Sequence, residues 1–166
     1  MHPITATTQW VKGEVLQGRI MFGFAILMIF TFLYFTDLQE SFYKGMAWPF
    51  ALLMFFLLGY GGFQMSMRPK HIEKVAQEMH SNPKVALKTE LDKAQKDDLI
   101  YSRLKVIWVV SFFFSAILYF VLKSDLWQGM SLGFAGFFLA AFIIDSFLHH
   151  RLKTYLEALR ILTPID

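Results

Sequence analysis

The chain has 166 residues, of which 55% are hydrophobic and 17% are charged, whereas about a quarter of the residues of a typical soluble domain are charged. A soluble domain of this size cannot bury so much apolar surface, so the composition excludes a cytosolic enzyme, a DNA-binding module and a disordered tail. The chain contains no cysteine, which excludes disulfides, thiol catalysis and cysteine-ligated zinc, haem or iron–sulfur centres.

Four stretches, here named the apolar windows, contain no Asp, Glu, Lys or Arg. They span residues 20–36, 45–67, 106–122 and 126–144, and together they hold 76 of the 166 residues. A hydrocarbon core about 30 Å thick requires about 20 apolar residues in a helix, and flanking Lys and Arg side chains that reach the interface can complete a shorter window. The sequence therefore predicts an all-α integral membrane protein with four transmembrane helices.

The basic residues predict the orientation of these helices. Residues 1–19, 68–105 and 151–166 hold 14 of the 16 Lys and Arg, whereas the two short connections hold Lys44 and Lys123 alone. Because cytoplasmic loops carry an excess of Lys and Arg, we expect both termini and the middle segment to face the cytoplasm of a bacterial inner membrane. The first residues lack the basic region of a signal peptide, so we expect them to be retained. The net charge of +3 then reflects topology and requires no nucleic-acid partner.

An internal repeat underlies this topology. Residues that recur at an offset of 84 predict two parallel hairpin repeats, related by an axis near the membrane normal. The matching pairs are Arg19-Ile20 with Arg103-Leu104, Gly45-Met46 with Gly129-Met130, Phe50 with Phe134, and Phe63 with Phe147. The predicted organisation is a first hairpin within 1–67, a cytoplasmic helical hairpin at 68–102, a second transmembrane hairpin at 103–150 and a cytoplasmic tail at 151–166.

Small residues at helical spacing occur in the second and fourth apolar windows. Such residues let two helices approach closely in lipid, so we expect these windows to face each other or a second copy of the chain in a homo-oligomer. The predicted packing residues are Gly59, Gly62, Ser66, Gly133, Gly136 and Ala140.

The middle segment predicts two further helical stretches. Pro69 is expected to end or bend the second helix and to begin a stretch over 71–80, and Ser81-Asn82-Pro83 predicts a turn. From residue 85 to 122 no residue interrupts a long third helix. Its polar part carries an apolar stripe that we interpret either as the inner face of a solvated connector or as a docking surface for a protein partner: Leu87, Leu91 and Ala94.

Asp145 directly follows the fourth apolar window, and an ionisable group near the bilayer costs several kcal/mol unless it is paired. His149 lies four residues later on the same helix face, which is compatible with a proton relay, a metal site or a structural ion pair. Arg19 and Arg103, at the cytoplasmic ends of the first and third helices, are the expected partners in an ion pair. One Asp–His pair is too small for a closed metal site, and no apolar window contains a histidine, so we predict neither a metal nor haem.

A ring of basic side chains is expected at the same level, where each Lys or Arg contributes about 1 kcal/mol of attraction to an anionic membrane surface. Ordinary flanking charge is the alternative interpretation. The expected lipid-headgroup residues are Arg68, Lys70, Lys105, Arg151 and Lys153.

These features favour a non-enzymatic scaffold or accessory subunit that engages a protein partner or anionic lipid. The alternative is an oligomeric transporter or channel with Asp145 and His149 at its cytoplasmic mouth. A membrane enzyme that uses this pair as acid and base requires a further polar cluster within the windows, and the sequence contains none.

Overall fold

The computed structural model describes residues 3–163, and these form four α-helices. They are α1 (Pro3–Asp37), α2 (Ser41–Ser81), α3 (Pro83–Val121) and α4 (Asp125–Leu162). Each helix is long and apolar enough to cross a membrane, which confirms the prediction of an all-helical chain with four such segments. The helices contain 35 to 41 residues, about 50 to 60 Å at 1.5 Å per residue. Each helix is therefore much longer than its apolar window.

The turn between α2 and α3 lies at Asn82, as the sequence predicts. The Asn82 side chain accepts a hydrogen bond from the backbone N–H of Val85 at 3.3 Å, and Pro83 occupies the first turn of α3, where its missing N–H costs little. Pro69 does not end α2, because the helix continues through it to Ser81. A proline inside a helix removes one backbone hydrogen bond, and the packing of Val75 and Met79 beyond it stabilises the continuation.

α2 and α4 lie at the centre of the structure. α1 packs along α2, α3 packs along α4, and α2 packs along α4, whereas α1 touches α4 and α2 touches α3 much less. α1 and α3 are consequently the two outer helices.

Two glycines bring the backbones of α2 and α4 together near the start of each helix. A Cβ atom on Gly45 would overlap the carbonyl oxygen of Leu126, and a Cβ atom on Gly129 would overlap that of Phe42. One helical turn further along α4, a Cβ atom on Gly133 would lie 3.0 Å from Cγ of Pro49. The close approach therefore requires glycine at 45 and 129.

Most of the small residues expected at this interface lie elsewhere. A Cβ atom on Gly59, Gly62 or Gly136 would meet no atom within 4 Å in the described part of the chain, and Ser66 is exposed and bonds to the Gly62 carbonyl of its own helix. The expectation that α2 and α4 pack together is confirmed, but these four residues do not form that contact, because helical spacing identifies a face but not the neighbour of that face. Gly133 does lie at the interface, Ala140 is half-buried, and contact with a second copy stays a prediction.

The part of the molecule outside the apolar windows has a hydrophobic core of its own. We name residues 3–19, 68–105 and 145–163 the polar half, and the four apolar windows the apolar half. One cluster of buried residues draws on all four helices, and its partly buried members include Ile72 and Leu91. The tail expected at 151–166 is helical as far as Leu162 and forms part of that cluster. The buried members are Ala6, Trp10, Val11, Val75, Met79, Ala86, Leu87, Ala94, Leu152, Tyr155, Leu156 and Leu159.

The apolar stripe on α3 belongs to this cluster. Leu87 and Ala94 are 7% and 3% exposed, and Leu91 packs against the same residues. The interpretation of these three side chains as a docking surface is wrong. Residues of α1 and of the end of α4, which were not predicted to lie in this region, belong to the cluster that buries them.

We expect Gly129→Ala to destabilise the protein by about 1 to 3 kcal/mol, because the added methyl group forces the α2 and α4 backbones apart. Gly136→Ala is the matched control, since open space surrounds its Cβ position, and it should be neutral or stabilise by up to about 1 kcal/mol. Thermal unfolding in nanodiscs, followed by tryptophan fluorescence, measures both changes. Equal transition temperatures for the two variants would contradict the proposed role of Gly129.

Candidate functional site

Asp145 lies inside the structure, where α3 and α4 pack together at the boundary between the two halves. Its residue surface is 5% exposed, and the indole Nε1 of Trp108 donates a hydrogen bond to Asp145 Oδ2 at 2.6 Å. A carboxylate in this position loses most of its hydration, so a fixed donor is needed to offset part of that cost. Trp108, the third residue of its apolar window, is a functional neighbour that the sequence analysis missed.

His149 is also buried, and its partner is again on α3. Its Nε2 atom lies 2.6 Å from Oδ1 of Asp98, and its ring stacks on Tyr101 with centroids 5.8 Å apart. Asp145 and His149 do share a face of α4, as their spacing predicts, but each is held by a residue of α3. The two contacts fix α3 against α4 at successive turns.

The arginines expected to pair with Asp145 lie elsewhere. Arg19 and Arg103 are exposed on α1 and α3, and within residues 3–163 neither forms a hydrogen bond or an ion pair with Asp145. The expectation of an Asp145–arginine pair is wrong, because both arginines are on exposed faces and the indole N–H of Trp108 donates a hydrogen bond to the carboxylate instead.

A second buried group joins α1 to α2. Glu14 is 1% exposed, and one of its oxygens lies 3.4 Å from Nη2 of Arg68. The Arg68 guanidinium also covers the ring of Trp10 at 4.7 Å from the centroid. Gln64 is fully buried beside this group, and within the described residues its side-chain N and O atoms have no hydrogen-bond partner. Buried polar atoms without partners cost about 1 to 3 kcal/mol each.

Arg151 links α4 to α1. Its Nη1 atom donates to the Gly13 carbonyl at 2.6 Å and to Gln17 Oε1 at 2.7 Å, and Gln17 donates in turn to the Ile144 carbonyl at 3.1 Å. A Cβ atom on Gly13 would lie 3.0 Å from Cδ of Arg151, so glycine leaves room for the arginine to lie flat on α1.

These contacts correct the expected ring of basic residues. Arg68 and Arg151 act inside the structure, because Arg68 forms an ion pair with the buried Glu14 and Arg151 donates hydrogen bonds to Gly13 and Gln17 on α1. Lys70 and Lys153 are exposed and Lys105 is half-buried. Of the five expected headgroup residues, Lys70 and Lys153 keep an exposed position.

A third group lies deeper in the polar half and takes residues from all four helices. Glu90 Oε2 lies 3.0 Å from His71 Nε2 and accepts a hydrogen bond from the Tyr155 hydroxyl at 3.2 Å. The Tyr155 hydroxyl also lies 2.9 Å from Thr7 Oγ1, and Lys93 places its ammonium 3.9 Å from the other oxygen of Glu90. Paired charges of this kind favour one packing arrangement of the four helices over others. The sequence offered no signal for this group, because its members are far apart in the chain.

The chemistry of the site follows from its donors and acceptors. Among the described residues no group of three or more His, Asp or Glu side chains is arranged to hold a metal ion. The buried acids instead contact side chains of neighbouring helices: Trp108 donates to Asp145, His149 lies beside Asp98, Arg68 pairs with Glu14, and His71 and Tyr155 contact Glu90. Asp145 and Trp108 border a cavity of about 250 Å³ between α2, α3 and α4.

No protein-family model, curated protein or solved structure matches this chain.

We expect Trp108→Phe to reduce stability by about 1 to 3 kcal/mol, because Asp145 then lacks its indole donor while it stays buried. Trp127→Phe is the matched control; Trp127 is 53% exposed, and its change should stay within about 0.5 kcal/mol. A double-mutant cycle with Asp145→Asn, measured by thermal or denaturant unfolding in detergent, isolates the pair. Additive effects of the two substitutions would show that the hydrogen bond contributes nothing to stability.

Proposed function

We propose that the chain is a multi-pass protein of the bacterial inner membrane, with both termini in the cytoplasm, that acts as a scaffold or accessory subunit. The observation that carries this proposal is the continuation of all four apolar helices into a polar half with its own shared core. Such a body holds a surface at a fixed position above a membrane. Its buried acids serve to join helices, so we propose no catalytic role for them.

The contact between α2 and α4 supports the proposed pair of parallel repeats. Gly45 packs against Leu126, and Gly129 packs against Phe42. Phe42 and Leu126 are separated by the same 84 positions as Gly45 and Gly129, so the two contacts are reciprocal. Reciprocal contacts of this kind are what a twofold axis between two equivalent hairpins produces.

Four exposed basic residues support binding to anionic lipid. Arg19, Lys70, Arg103 and Lys153 are exposed and lie within nine residues of an apolar window; we name these four the basic rim. In the proposed orientation the basic rim lies at the cytoplasmic surface of the membrane, where each charge contributes about 1 kcal/mol of attraction. The proposed protein partner would contact the exposed charged surface of α3, for example Lys88, Asp92 and Lys96, instead of the buried stripe.

An oligomeric transporter or channel is the alternative, and the burial of Asp145 and His149 at the end of an apolar window is what favours it. At Gly45 and Gly129 the backbones of α2 and α4 are in close contact and leave no space for a pathway between these two helices. A transport pathway would therefore have to form between copies. Asp145→Asn should then abolish flux in proteoliposomes, whereas a scaffold would show no flux to abolish.

Cysteine labelling tests the proposed orientation, because the natural chain has no cysteine. We expect a membrane-impermeant maleimide to label Gln39→Cys and Ser124→Cys in intact spheroplasts, and to label Thr89→Cys only after lysis. All three positions are exposed, so differences in labelling report the side of the membrane. Labelling of Thr89→Cys in intact spheroplasts would overturn the orientation.

Native mass spectrometry from nanodiscs tests the lipid proposal. Replacement of the basic rim by glutamine should lower the retention of phosphatidylglycerol, because four charges near the headgroups are removed. A matched control replaces Lys84, Lys88, Lys96 and Arg160, which are exposed and lie ten or more residues from the windows. The same experiment on the wild type shows whether a second polypeptide copurifies. Equal phosphatidylglycerol retention by both variants would contradict the role of the basic rim.

A further inference from the structure

The cavity beside Asp145 lies across the boundary between the two halves of the molecule. Four aromatic side chains and two acids line it, together with two aliphatic residues, and its volume is about 250 Å³. α2 contributes Phe56 and Tyr60, α3 contributes Asp97, Tyr101 and Trp108, and α4 contributes Asp145.

The aromatic side chains form a preorganised wall. Phe56 and Tyr60 stack with an interplanar angle of 19° and centroids 5.8 Å apart, and the Tyr60 and Tyr101 hydroxyls lie 3.2 Å apart. On the α4 side, the hydrogen bond from Trp108 fixes one oxygen of Asp145 at 2.6 Å. These contacts hold the aromatic rings and the carboxylate in position before any ligand arrives.

The charge of this lining is opposite to that of its surroundings. The segments that form the polar half carry nearly all of the Lys and Arg residues, yet among residues 3–163 no Lys, Arg or His lines this cavity. Lys105 and His149 act electrostatically on Asp145, but both line a separate cavity between α3 and α4. The cavity therefore presents two carboxylates and aromatic surface to its contents.

This combination selects among positively charged ligands. Metal ions require three or more converging donors, and no such group occurs in residues 3–163. Aromatic faces attract organic ammonium groups, whose charge is spread over a larger and less hydrated surface. A volume of about 250 Å³ accommodates an ammonium group with a few carbon atoms.

We propose that this cavity binds a small organic ammonium group. The carboxylates of Asp97 and Asp145 neutralise its positive charge, and the aromatic rings surround its alkyl groups: Phe56, Tyr60, Tyr101 and Trp108. This inference is independent of the scaffold function and of the orientation in the membrane. The ammonium group can belong to a free amine or to a lipid headgroup, because both present the same chemistry to the site.

Choline chloride is the probe, and 3,3-dimethyl-1-butanol is its uncharged counterpart of nearly the same shape. We expect choline to change the tryptophan fluorescence of the full-length protein in detergent saturably, because Trp108 lies in the cavity. The uncharged alcohol and sodium chloride at equal concentration should produce at least about tenfold weaker responses, since both lack an organic cation. A saturable response of equal strength to either compound would overturn the proposal, as would the absence of a choline response.

Two acid substitutions separate binding from folding. Asp97→Asn and Asp145→Asn should each weaken choline binding about tenfold or more, the equivalent of about 1.4 kcal/mol. Asp97 is half-buried, so its amide variant keeps the size of the side chain and tests the proposal even where Asp145→Asn fails to fold. Phe55→Leu is the control, because Phe55 is 72% exposed on the outer face of α2. Wild-type choline affinity in a folded Asp97→Asn variant would overturn the proposal.

Nanodiscs distinguish the two sources of the ammonium group. In discs of phosphatidylglycerol alone, the choline response should match that in detergent. Addition of phosphatidylethanolamine should shift the choline midpoint to higher concentration where the headgroup enters the same cavity, and should leave it unchanged where the ligand is a free amine. Either result supports an ammonium site, whereas a choline response absent from both kinds of disc contradicts it.

Discussion

The backbone contact between α2 and α4 is the constraint on which the other helix positions depend. At Gly45 and Gly129 the two helices approach so closely that neither position accepts a Cβ atom. Within lipid, apolar helices gain little from hydrophobic burial against each other, so close approach of this kind is a principal source of packing energy. With α2 and α4 fixed together at the centre, α1 and α3 are left to pack on the outer sides.

The opposite end of the molecule depends on polar contacts. Glu14 with Arg68 joins α1 to α2, His149 with Asp98 joins α4 to α3, and Arg151 joins α4 to α1. Removing one partner from such a buried pair leaves an uncompensated charge, which costs about 3 to 5 kcal/mol. Each pair therefore penalises a shift of its helices relative to one another. The shared hydrophobic cluster of the polar half supplies the nonspecific part of the stability, and the pairs select one arrangement.

The sequence predicts the helices well and their neighbours poorly, for a physical reason. Charge-free windows and the turn at Asn82 are local signals, and they locate the four helices, although each helix extends well beyond its window. Burial of Leu87, the partner of Asp145 and the inward positions of Arg68 and Arg151 depend on which helix lies opposite, and helical periodicity carries no information about that. Even the correct observation that Asp145 and His149 share a face did not reveal that Trp108 and Asp98 hold them.

The α1–α2 pair and the α3–α4 pair differ at the level of the cavity. Between α1 and α2, Gly18 and Gly61 pack backbone against backbone, with a Cβ atom on Gly61 falling 2.7 Å from the Gly18 carbonyl oxygen. The position 84 residues after Gly61 is Asp145, whose carboxylate reaches the side chain of Trp108 on α3. At this position α3 and α4 meet through side chains, whereas α1 and α2 meet through their backbones. Since α3 also touches α2 only weakly, the space between Tyr60, Trp108 and Asp145 is not filled by either helix, and this space is the cavity proposed to bind an ammonium group.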